Sequence, residues 1–103
     1  MTTSADAVKD LEASKKALEG QCNAASGQTF ANLEIAIQRI ADEVGEIEDN
    51  LLTTADYIPQ TDAFKAVTNE AKAFVATLNN IKTGFAALSP IAQAIDKVLT
   101  YVK

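Results

Sequence analysis

Apolar residues recur along this chain at helical spacing, and nowhere do they alternate with polar ones as a half-buried strand requires. Phe30, Leu33, Ile37, Ile40, Val44, Ile47 and Leu51 are separated alternately by three and four residues. A second run, Phe64, Val67, Ala71, Phe74, Leu78, Ile81, Phe85 and Leu88, keeps the same alternation. An average repeat of 3.5 residues is a heptad a/d seam, which holds an apolar stripe against a neighbouring helix in left-handed packing. The spacing predicts two long helices, 28–52 and 61–88. A helix over 4–20 carries Val8, Leu11, Leu18 and Cys22 with Lys15 in its seam. A last one over 90–102 carries Ile91, Ile95, Val98, Leu99 and Val102.

Local chemistry marks the breaks. Gly20 to Gly27 collects two glycines, an asparagine and a serine, which favour a helix stop and a new cap. In the stretch 52–61, Pro59 pushes Ile58 out of the helical region. Ser89 can cap a helix whose first position is Pro90, where the missing N–H is not needed. Lys82-Thr83-Gly84 would also make a good helix end, so the third helix stops near 83 or near 88. The expected fold is all-α: one domain over 1–103, an antiparallel three- to four-helix bundle with heptad, coiled-coil-like packing around the central hairpin.

Composition agrees with that expectation. Nineteen alanines against four glycines and two prolines favour closely packed helices over turn-rich β structure. With 48% apolar residues the chain has enough hydrophobicity to fold. No histidine is present, which removes the usual general base and the commonest zinc ligand. A single cysteine, Cys22, excludes an intrachain disulfide framework, and its alignment with Leu18 reads as a small hydrophobe rather than a reactive thiol. No enzyme, metal or cofactor is therefore expected. Nine basic residues in an acidic chain argue against nucleic acid as a partner. Residues 1–6 lack a basic, apolar leader, so the expected location is cytoplasmic, or secreted without a classical signal peptide.

Charge is the most informative of these properties. The segment 28–52 holds Glu34, Asp42, Glu43, Glu46, Glu48 and Asp49 against Arg39 alone and so carries −5, the net charge of the whole chain. With Phe30 at position a, these acids fall at c, e, f and g, outside the seam. Carboxylates near a helix C-terminus oppose the macrodipole and one another, so their placement costs stability. The leading expectation is a non-enzymatic protein–protein interaction module, an adaptor, inhibitor or neutralising partner. It would use Asp42, Glu43, Glu46 and Asp49, with Ile35 as an exposed apolar contact, to bind another, basic protein.

Two alternatives remain at this point. The uncharged stretch 83–95 is too short to span a bilayer but could lie at an interface, as a membrane-active or secreted toxin-type component requires. Phe30, Phe64, Phe74 and Phe85 could line a cavity for an apolar ligand, although such rings are usually core. Self-association would extend the shared seam, so a homo-oligomer stands beside a monomer. Length and hairpin character are similar to those of a family of small secreted proteins with a Trp-x-Gly turn. The chain has no tryptophan, and no family is assigned.

Overall fold

The computed structural model describes residues 2–50, 55–85 and 89–103, residue 89 by its backbone alone. Among the described residues there are four α-helices: α1 (Ser4–Glu19), α2 (Gly27–Asp49), α3 (Asn69–Gly84) and α4 (Ser89–Leu99). Single 3₁₀ turns stand at Cys22–Ala24 and Asp62–Phe64. α1 packs on α2 and α4, and α3 packs on the same two, so the helices close a ring of contacts. At about 1.5 Å per residue, the 23 residues of α2 cover most of the 38 Å long axis.

The ends of each helix follow from local chemistry. Thr3 caps α1, its hydroxyl accepting from the Asp6 N–H at 3.2 Å, and Gly20 ends it. Ser26 in an extended conformation opens α2, followed by Gly27 at φ +59°, a left-handed value that a side chain would strain. Thr68 caps α3, accepting from the Ala71 N–H at 3.0 Å. α3 ends at Gly84, the earlier of the two expected stops. A Cβ built on Gly84 would lie 3.0 Å from the Thr29 hydroxyl, so the end of α3 lies close against the start of α2.

The core gathers Leu11, Leu18, Leu33, Ile40, Ile47, Phe64, Leu78, Ile81, Ile91, Ile95 and Val98, all fully buried. The buried face of α1 is Ala7, Leu11, Ser14 and Leu18, so Lys15 falls beside the seam rather than in it. Val8 and Cys22 pack at the margin of the core, each half-buried. The Cys22 thiol points to the Leu18 carbonyl at 3.8 Å.

The third predicted helix needs correction. Residues 61–68 are not α-helical; the segment makes a 3₁₀ turn, and α3 begins at Asn69. Phe64 is nevertheless buried, because the turn lays its ring against Phe74 with centroids 5.2 Å apart. Val67, which the heptad spacing places in the seam, is 90% exposed. The expected seam residues Leu51 and Leu88, and the Ser89 side-chain cap, lie outside the described residues.

Segment 55–66 crosses one end of the helices and is held on both sides by backbone pairing. Ser4 N–H donates to the Ala55 carbonyl and Tyr57 N–H to the Thr2 carbonyl, each at 2.8 Å, around an isolated Thr3–Asp56 bridge. Lys103 N–H donates to the Phe64 carbonyl at 3.0 Å, and its own carbonyl accepts from Ala66 N–H at 2.8 Å. These bonds satisfy backbone groups that a non-helical segment could otherwise leave unpaired.

Candidate interaction surface

α2 touches α1 on one flank and α3 on the other, so it buries a wider arc than a two-stranded seam. That arc includes Asn32, Ala36 and Glu43 along with the apolar positions. Glu43 therefore does not stand on the outer acidic face expected from the heptad. It is 0% exposed.

Four donors converge on its carboxylate. The Tyr57 hydroxyl donates to Oε2 at 2.8 Å, and Gln60 N–H donates to the same oxygen at 2.9 Å. Thr61 N–H and the Thr61 hydroxyl each donate to Oε1 at 2.9 Å. A buried carboxylate is tolerable only with such partners, since desolvating the charge alone costs several kcal/mol. Glu43 thus fastens segment 57–61 to α2. Its role is structural, and no surface partner can reach it.

The clasp continues through the aromatic rings. Tyr57 meets Tyr101 edge to face, centroids 5.1 Å apart at 88°, and Lys103 Nζ lies 5.7 Å from the Tyr57 ring centroid. The Tyr101 hydroxyl donates to Asp10 on α1. Burial, then the neighbouring Glu43 charge and hydrogen bond, drive the Tyr57 phenol far above its ordinary value. Burial and the Asp10 hydrogen bond raise Tyr101 to about 12.

A phenol whose folded value is raised contributes stability below its unfolded value of 10.0 that is lost as pH rises through about 12. Alkaline titration should therefore show both tyrosines resisting ionisation past pH 10.0, with tyrosinate absorbance appearing together with loss of helical circular dichroism. Tyr57 and Tyr101 are the only tyrosines and no tryptophan is present, so the absorbance reports on this clasp alone. Ionisation of both at the free value in a still helical protein would contradict the arrangement.

The other expected contact residues are where a partner could meet them. Asp42, Glu46 and Asp49 are exposed, and Ile35, at 44% exposure, shares the outer face of α2 with them. Asp42 accepts from the Gln38 amide at 2.8 Å, a bond within the same face. α2 has no basic residue in its last turn. Among the described residues the one ion pair is Lys82–Asp96 at 2.9 Å, between α3 and α4. The acids of α2 thus have no ion-pair partner among the described residues.

Comparison of the chain with protein-family models, with curated proteins and with solved structures finds no match.

One exposed apolar residue escapes the heptad reading. Tyr57 points inward to Glu43, and its neighbour Ile58 is left 65% exposed. The Gln60 side-chain amide bridges the two elements, donating to the Ile58 carbonyl at 2.7 Å and accepting from the Asn50 amide at 3.1 Å. Ile58 is therefore held beside the acidic end of α2. Only Pro59, which fixes the backbone after it, hinted at this in the sequence.

The four phenylalanines differ in their burial. Phe64 and Phe74 are buried against each other, Phe85 is half-buried at the end of α3, and Phe30 is 37% exposed. Among the described residues no three acidic or cysteine side chains come together as a metal site. Nor is any helix there long and apolar enough to cross a membrane.

Proposed function

We propose that the chain is a non-enzymatic protein–protein interaction module, built as an antiparallel helical bundle with seam packing along its long helices. The approach of Gly84 to Thr29 supports the antiparallel hairpin of α2 and α3. The working surface is the C-terminal half of α2, with Asp42, Glu46 and Asp49 as the charged contacts, Ile58 as an apolar anchor beside them and Ile35 farther along the same helix.

One observation carries this reading. Folding uses Glu43, buried and fully bonded, whereas the neighbouring acids are exposed, have no ion-pair partner among the described residues and crowd the end of a helix whose dipole they oppose. Their cost to stability is offset when a basic partner supplies the missing charges and the acidic field steers its approach. The partner of this reading is a protein with a basic, partly apolar surface.

The triple reversal Asp42→Lys, Glu46→Lys, Asp49→Lys tests it by affinity capture from the native source, with mass-spectrometric identification of what is retained. The expected result is a salt-sensitive partner held by the unaltered chain and lost by the variant, with helical circular dichroism the same for both. Equal capture by the two proteins would sink the acidic-face reading.

A further inference from the structure

The two flanks of α3 differ. On the side away from α2, Ala66, Ala71, Val75 and Val102 line a groove of about 240 Å³ with Lys72 as its charged member. Lys65 and the exposed Val67 flank Ala66 in the chain. Neither Lys65 nor Lys72 has an ion-pair partner among the described residues.

The molecule therefore carries two complementary surfaces that do not meet within one chain: an apolar anchor flanked by acids, and an apolar groove flanked by lysines. We propose that the occupant of the Lys72–Val75–Val102 groove is a second copy of this chain, which inserts Ile58 and sets Asp42, Glu46 and Asp49 against Lys65 and Lys72. The proposal rests on the acidic face of α2 being an interaction surface, and it names that surface's partner. Anchor and groove both adjoin segment 55–66 at one end of the molecule, so the two contacts can form together about a two-fold axis. The product is a dimer closed by the same pair of contacts used twice.

Both halves of the contact are needed. Surface ion pairs each contribute little, so charge sets orientation and rate while burial of Ile58 and the groove supplies the attraction. Charge also makes the dimer salt-sensitive, because solvent-edge pairs are screened within a Debye length of about 10 Å at 0.1 M salt.

A charge-swap experiment on purified protein tests this by sedimentation velocity and light scattering at low salt. The unaltered chain is expected at twice the monomer mass, returning to monomer as salt rises. The acidic-face reversal Asp42→Lys, Glu46→Lys, Asp49→Lys and the groove reversal Lys65→Glu, Lys72→Glu should each be monomeric alone. Mixed, they should regain the doubled mass, since each then offers the other a matching surface. Ile58→Asp, at an exposed position, should abolish dimerisation without loss of helicity. A monomeric unaltered chain at every concentration, or a mixture that stays monomeric, overturns the proposal. Because these measurements contain no other protein, a monomeric result with partner capture still lost in the acidic-face variant leaves the interaction reading standing.

Discussion

Replacing Glu43 with alanine is expected to remove about 3–5 kcal/mol of folding stability, since each donor stripped of a buried acceptor costs about 1–3 kcal/mol and four donors lose theirs. Some of that loss is recovered where water reaches the part-buried Gln60 and Thr61 amides, but not at the buried Tyr57 hydroxyl. A small domain has about 5–15 kcal/mol in total, so the variant should sit near the edge of folding. Glu43→Gln should fall between the two, because its amide oxygen keeps one acceptor while its NH₂ group faces donors it cannot satisfy. Asp42→Ala and Glu46→Ala, one position before and three after, should change stability by about 0.5 kcal/mol or less, as is usual for exposed side chains. Urea unfolding followed by circular dichroism measures all four. A Glu43→Ala cost no larger than that of Asp42→Ala would mean the clasp contributes nothing.

The second large effect lies outside the α-helices. Phe64→Ala is expected to cost about 3–5 kcal/mol, the range for truncating a buried phenylalanine. Its ring packs on Phe74 from a 3₁₀ turn, and its carbonyl holds the Lys103 amide. Val67→Ala, three residues on, should be within about 0.5 kcal/mol of the unaltered protein. A continuous heptad helix through this region would make both substitutions costly, so the same denaturation series distinguishes the two arrangements. Comparable losses at both positions would restore the longer helix.

Those two residues show how far the sequence could be read. The 3–4 spacing runs without a slip from Phe64 to Phe85, although the first two members of the series are not on α3 at all. Spacing records which residues need burial, and a 3₁₀ turn can deliver a phenylalanine to the core as well as a helix can. The Thr68 cap marks the true start, but nothing in one sequence ranks a capping hydroxyl above an unbroken apolar period. Elsewhere caps and period agree to within three residues: α1 occupies 4–19 where 4–20 was expected, α2 27–49 where 28–52 was expected, and α4 89–99 where 90–102 was expected. At Gly84 the glycine stop, rather than the apolar period, decides where α3 ends.

Glu43 was illegible for a different reason. Its g position is an outer one in a pair of helices, yet it becomes inner when a helix has neighbours on both flanks. Its partners, 14 to 18 residues along, lie in a segment without periodicity. Asp42, Glu46 and Asp49 carry the same charge in the same stretch, and only three-dimensional packing separates the carboxylate that builds the fold from those left over. Ile58 is the converse case: its exposure follows from the inward turn of Tyr57, which no pattern in the sequence encodes.

Segment 55–66 also has a mechanical consequence. Residues 2–4 are laced to its beginning and Lys103 to its end, while Glu43 grips its middle. Tension applied between residue 3 and residue 103 would therefore run through this short crosspiece as well as through the helices. The two small lacings would share that load with the packed α1–α4 pair, and parting either one would pass the whole of it to the helices.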